Sequence, residues 1–285
     1  MNIAPRYLGR GSWLARRDPR TIILVVFFIG ITVIQIWDIR IVLAFLAGAI
    51  IWYRSARIPF AMVRRQWVFV FVFVGLIVLW NTILTGGEVG AYDRENMHVL
   101  FFLPLLGTPI AAENVSYGTT QFARFFTFAT LGFTMAYAIA PADLGVSFAR
   151  LRIPEKFAYA IDLTFRFMPS LSSDLQATMD AQRVRGHDWD KGKGGPITRL
   201  RRTIPLVVPL TMNAIVNAED TIDAMDLRAF GTGHRTWYRH LIFDRTDRLI
   251  LALVITLLVA FTVLGFVAGT SKLYVFPFLL DLAGG

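Results

Sequence analysis

The chain has 285 residues, of which 55% are hydrophobic and only 17% charged, against about a quarter charged in an ordinary soluble domain. It has no cysteine, which excludes disulfides, iron–sulfur clusters and thiolate metal sites. Its net charge of +9 fits Arg-rich loops on the cytoplasmic side of a membrane better than nucleic-acid binding, so an all-α integral membrane protein is expected.

In chain order, Met1 to Arg20 is basic and broken by Pro5, Gly9, Gly11 and Pro19, which does not suit a cleavable signal peptide. Thr21 to Trp37 is apolar enough for a first span. Asp38-Ile39-Arg40 reads as a tight turn, and Ile41 to Tyr53 as a short returning span. Gln66 to Leu84 is a third span, followed by a mildly acidic loop from Thr85 to His98. Val99 to Ala112 is apolar but interrupted by Pro104, Gly107 and Pro109, so it is expected to be re-entrant or interfacial. Phe122 to Ala140 and Leu249 to Ala268 complete about five spans, and Leu273 to Leu280 is a short apolar tail.

Arg6, Arg10, Arg16, Arg17 and Arg20 precede the first span, and Arg54, Arg57, Arg64 and Arg65 lie between the second and third. Both clusters are expected in the cytoplasm, with the N-terminus. Four crossings then return the chain to the cytoplasm at Pro141. The expected division is a membrane region at 1–140, a cytoplasmic helical region at 141–240, and a final span with its tail at 241–285.

The region from Ile153 to Arg235 contains two long amphipathic patterns. Pro154 suits a first helical position, and Phe157, Ile161, Thr164, Met168, Leu171, Leu175 and Thr178 recur in steps of four and three. Pro169 interrupts this run and predicts a kink. A second stripe runs through Ile204, Val208, Met212, Ile215, Ala218, Ile222, Met225 and Ala229. Between them Lys191, Lys193, Gly194, Gly195, Pro196, Arg199, Arg201 and Arg202 read as a basic loop, suited to anionic lipid headgroups or to pairing with acidic helix faces.

Both patterns end in nearly the same phrase. One reads Asp180-Ala181-Gln182-Arg183-Val184-Arg185-Gly186, the other Asp223-Ala224-Met225-Asp226-Leu227-Arg228-Ala229. Arg185 and Arg228 admit two readings. Each can simply cap a helix, where a cation favours the negative end of the dipole. Alternatively, each presents a forked guanidinium beside a small residue to a pocket on another protein.

These residues carry a resemblance. Pro141-Ala142-Asp143-Leu144, Leu151-Arg152-Ile153-Pro154, Leu163 to Pro169, Ala181 to Gly186, Pro205 to Pro209, Ala224 to Gly231 and Arg235-Thr236 resemble the transmembrane T component of energy-coupling factor (ECF) transporters, which include cobalt and biotin systems. The resemblance implies a non-catalytic subunit without a cofactor. Its partners would be two ABC-type ATPases and a small substrate-binding membrane protein for a vitamin or metal ion. In that family, Ala-Arg-Gly signatures at the two helix ends dock on the ATPases. Here Val184-Arg185-Gly186 and Leu227-Arg228-Ala229 correspond, with Ala229 departing from Gly, and Asp180 and Asp223 open the two phrases. The helix bodies, through Met168, Leu171, Met212 and Ile215, would face the substrate-binding partner or pack within this chain. The chain has no P-loop of the form Gly-x-x-x-x-Gly-Lys-Ser/Thr, so ATP hydrolysis is expected in other chains.

Two rivals stand beside this reading. Asp220, Asp223 and Asp226 fall at i, i+3 and i+6, a spacing that in an intramembrane prenyltransferase holds Mg²⁺ over a diphosphate. A secondary transporter would need ionisable groups within its spans, where only Gln35, Asn81 and Arg124 occur as polar candidates. His98, His187, His234 and His240 lack metal-ligand spacing, so no metal is assigned. Trp13, Trp37, Trp52, Trp67 and Trp80 lie near span ends, as an interfacial belt would place them.

Overall fold

The computed structural model describes residues 11–84, 98–102, 109–186, 196–233, 237–238, 241–268, 274–275 and 277–278. Most of the Thr85–His98 loop, the Lys191–Gly195 segment, His187, His234, His240 and most of the Leu273–Leu280 tail lie outside them. The order of elements is α1 (Pro19–Gln35), α2 (Ile39–Ser55), α3 (Phe60–Leu84), β1 (Val99–Phe102), β2 (Pro109–Ala111), α4 (Ala112–Ala138), α5 (Pro141–Arg150), α6 (Glu155–Val184), α7 (Pro196–Asp226) and α8 (Arg245–Ala268). The chain divides into two compact units, one within Pro141–Leu241, the other within Tyr7–Ala140 and Ile242–Gly285.

The protein is an all-α membrane protein with one small addition. Val99–Phe102 and Pro109–Ala111 pair as a two-stranded antiparallel ribbon, where the sequence suggested a re-entrant or interfacial segment. Prolines at 104 and 109 disfavour a helix here, and an extended pair satisfies its own backbone groups. The ribbon leads directly into α4. Glu113, buried in the first turn of that helix, accepts from the backbone N–H of His98 at 3.2 Å and contacts its Nδ1 at 2.9 Å. A carboxylate in that position is also favoured by the positive end of the helix dipole.

Each of the five expected spans is a helix. Phe60–Asn81 and Arg245–Val267 are long and apolar enough to cross a membrane, and α1 is a shorter apolar helix. Asp38-Ile39-Arg40 is a helix start rather than a free turn. The Asp38 carboxylate accepts the Arg40 N–H at 2.9 Å and caps α2. Asp18 caps α1 in the same way, accepting from Arg20 N–H at 2.9 Å. In both, the Arg side chain folds back onto the capping carboxylate.

Helix α4 is the centre of this unit and packs against α1, α2 and α3, while α1 packs against α8. It begins ten residues before the expected Phe122, because its polar face is buried and internally satisfied. Ser116, Thr120, Thr127, Thr130 and Thr134 are buried, and each hydroxyl donates to the carbonyl four residues earlier. Such bonds let a Ser/Thr-rich helix pass through a low-dielectric interior without orphaned donors. The apolar core gathers Val33, Ile36, Val42 and Ala123 in one cluster and Val25, Leu251 and Val254 in another.

Arg124 is buried in this interior. Its guanidinium donates to the Ile36 carbonyl at the end of α1 and to Gln121 Oε1 at 2.8 Å, and lies 4.6 Å from the Trp37 ring centroid. Trp37 stacks in turn on Tyr117. Gln35, the second intramembrane polar candidate, accepts from the Thr262 hydroxyl at 3.0 Å. Both residues join helices to one another.

Candidate functional site

Helices α5, α6 and α7 form the unit that carries the repeated phrase. Gly145 of α5 lets α6 approach closely: a Cβ there would stand 2.6 Å from Asp162 Cβ and 2.9 Å from the Ala158 carbonyl oxygen. Ala158 is fully buried, so this crossing is built from small residues on both sides. Helix α5 ends at a left-handed Arg152, and Ile153 N–H bonds back to the Phe148 carbonyl at 3.1 Å. That terminator sets the start of α6, with Pro154 as its N-cap rather than its first residue. Both long helices run through their prolines, α6 past Pro169 and α7 past Pro205 and Pro209. Arg199, Arg201 and Arg202, expected in a loop, belong to the first turns of α7, since Pro196 supplies a fixed φ suited to its first position.

The two helix ends share one geometry. Arg185 is the C-cap of α6, and Gly186 follows with φ +85°, its N–H bonded to the Arg183 carbonyl at 2.9 Å. At the second end Ala229 takes φ +52°, and its N–H bonds to the Asp226 carbonyl at 2.9 Å. Phe230 N–H reaches the Met225 carbonyl at 3.0 Å, which completes a Schellman terminator. An arginine thus stands directly before a left-handed small residue at both ends. Ala229 substitutes for glycine in sequence but keeps the backbone form that glycine would take.

Around each arginine the surface is open. Arg185 and Arg228 are exposed, and among the described residues neither side chain makes a hydrogen bond or an ion pair. Asp180 instead pairs with Arg183 at 3.1 Å, and the Asp223 side chain is exposed. The aliphatic residue before each arginine, Val184 or Leu227, is 90% exposed. Among the described residues neither guanidinium bonds to the last carbonyls of its helix, which leaves each to interact with the helix dipole or with another molecule.

The structure does not bring the two arginines together. Tyr159, in the first turns of α6, holds the end of α7: its ring lies 5.0 Å from that of Phe230 and its hydroxyl donates to Met225 Sδ at 3.5 Å. Further along, Asn217 donates to Asp174 at 3.4 Å, so the helices cross in opposite directions. From Tyr159 to Arg185 there are about 40 Å of helix, so the arginines mark two separate points. Tyr159 has no counterpart among the sequence candidates. Its only signal was an aromatic just off the expected stripe of α6.

The expected apolar faces are largely uncovered by this chain. On α7, Ile204, Val208, Met212, Ile215 and Ile222 are exposed; on α6, Leu171 is exposed and Met168 half-buried. Asp220, Asp223 and Asp226 are all exposed on α7. Among the described residues no three His, Cys, Asp or Glu side chains are grouped to hold a metal ion.

Residues 10–238 match the family described as "Cobalt transport protein" (CbiQ). The chain is 26% identical over 263 residues to the "Energy-coupling factor transporter transmembrane protein EcfT" of Ruminiclostridium cellulolyticum, covering 88% of this chain and 92% of that one. The protein of the same name from Lacticaseibacillus paracasei is 27% identical over 251 residues, covering 85% and 90%. A third, from Listeria innocua, is 27% identical over 261 residues, covering 87% and 92%. With the family match spanning most of its length, the chain belongs to the CbiQ family and is an ECF transporter transmembrane component.

Proposed function

We propose that this chain is the non-catalytic coupling subunit of an ECF-type importer in a bacterial or archaeal cell membrane, with its N-terminus in the cytoplasm. Residues 141–240 are its coupling region, carried by membrane regions at 1–140 and 241–285. Two ABC-type ATPase subunits bind at the helix ends, one through Val184, Arg185 and Gly186 and one through Leu227, Arg228 and Ala229. Asp180 and Asp223 open the two contact segments. ATP-driven closure of the ATPases moves α6 and α7. Their exposed face, with Met168, Leu171, Met212 and Ile215, passes that motion to a small membrane protein that binds the vitamin or metal ion.

The observation that carries this reading is the matched pair of helix ends. Each offers an exposed aliphatic side chain, an arginine without a partner among the described residues, and a small left-handed residue. A forked guanidinium entering a partner's groove makes charge-assisted bonds that water otherwise takes, each contributing about 1.5–3 kcal/mol. The separation of the ends suits two ATPase sites rather than one.

The test is co-purification of the tagged chain with its host ATPases in mild detergent, then uptake in reconstituted vesicles. Arg185→Ala and Arg228→Ala should each weaken ATPase association about tenfold or more, and the double variant should lose ATP-driven uptake. Lysine at either position should restore only part, since an ammonium cannot fork. Full assembly and uptake by the double alanine variant would overturn the proposal.

A further inference from the structure

A cavity of about 760 Å³ lies between α2, α3 and α4, a size within the roughly 300–1,000 Å³ of small-molecule sites. Its walls are apolar, formed by Leu46, Ile50, Ile58, Phe60, Trp67 and Phe126. Its charged lining is confined to Arg54 and Arg57. Both are exposed, no acidic side chain lines the cavity, and among the described residues neither arginine has an ion pair.

The placement of these arginines is specific. Arg54 lies in the last turn of α2, and Arg57 follows that helix with its N–H bonded to the Arg54 carbonyl at 3.1 Å. Arg57 takes φ +51°, a left-handed conformation that glycine adopts without strain and arginine does not. Two like charges are thus held on one turn, at some conformational cost, above an apolar slot. The helix C-terminus offsets part of their repulsion. An anion with an apolar tail would offset the rest.

We propose that this cavity binds a phospholipid with an anionic headgroup, its phosphate between Arg54 and Arg57 and an acyl chain along the apolar wall. The surrounding bilayer supplies such a ligand. Basic pockets between membrane helices recognise anionic headgroups by this combination of charge and apolar contact. Arg64 and Arg65, also exposed but not part of the lining, provide the internal control.

The experiment is native mass spectrometry of the delipidated full chain, titrated with phosphatidylglycerol or phosphatidylcholine of the same acyl chains. The first phosphatidylglycerol should bind about tenfold or more tightly than phosphatidylcholine, given the attraction each arginine adds. The double variant R54Q/R57Q should lose most of that preference, and R64Q/R65Q should keep it. Ile50→Trp, which fills the slot and leaves both arginines in place, should also lose the lipid. Equal binding of the two lipids by the unaltered chain would overturn the site and leave the groove for a partner's helix. Equal loss in R64Q/R65Q would overturn it in favour of diffuse surface charge. Displacement of the lipid by millimolar inorganic phosphate would overturn it in favour of a free-anion site.

Discussion

At residue scale, the second helix end turns on Ala229. A left-handed alanine costs about 1 kcal/mol relative to glycine, because its Cβ crowds the neighbouring carbonyl. Ala229 holds that conformation at φ +52° because Phe230 and Met225 close the terminator beside Tyr159. Ala229→Gly should therefore stabilise this unit by about 0.5–1 kcal/mol, less the extra freedom that glycine gains in the unfolded chain. Gly186→Ala should cost about 1 kcal/mol at the first end, where nothing lies within 4 Å of the added Cβ and only backbone conformation is at stake. Hydrogen exchange at the last turns of α6 and α7 would read both changes. If Ala229→Gly speeds exchange at the end of α7, the account of this end as a strained terminator is wrong.

Element scale concerns what holds helices in register. Tyr159 is the clasp between the start of α6 and the end of α7. Removing its ring uncovers both apolar members of the terminator, so Tyr159→Ala should loosen the end that carries Arg228 and leave the end at Arg185 unchanged. Tyr159→Phe keeps the ring contact and should be close to neutral, because a hydroxyl bond to sulfur is weak. Local proteolysis or hydrogen exchange at residues 223–233 separates these outcomes; equal protection in Tyr159→Ala and the parent would refute the clasp. In the other unit, Arg124→Met should destabilise by about 1–3 kcal/mol, since the buried Ile36 carbonyl then loses its donor. An unchanged apparent Tm in detergent would show that water or another donor takes the place of Arg124.

For the whole molecule, ends distant in sequence are joined by charge. Arg17, before α1, meets Asp244, before α8, at 2.9 Å, and Arg20 lies 4.8 Å from the Phe243 ring centroid. The Arg245 backbone N–H, 2.7 Å from Asp244, and then the Arg17 guanidinium hold the Asp244 carboxyl below its ordinary value of 3.8. A carboxylate with a depressed folded-state value contributes stability above its unfolded value and loses it as pH falls through the folded one. Asp244→Asn should therefore lower the apparent Tm slightly at neutral pH, with the difference from the parent beginning to shrink below about pH 4 and disappearing as pH falls through the folded-state value. A difference that does not shrink at all as pH is lowered from about 6 to about 2 would assign the effect to packing instead. Since this carboxylate is exposed, salt should also shrink it.

Sequence alone determined what local chemistry dictates. The five long apolar runs became helices because a bilayer leaves the backbone no other partner, and the small residues after Arg185 and Arg228 ended theirs because a left-handed residue stops a helix. The family resemblance rested on the same short phrases. Only the tertiary structure decided which residues face one another. It placed Thr120, Thr127 and Arg124 inside α4's packing, paired Asp180 with Arg183, and set Tyr159 against the far end of α7. It also left the stripe of α7 exposed instead of burying it. Periodicity states that a helix has an apolar face, but the neighbour that covers it comes from contacts distant in sequence or from another molecule.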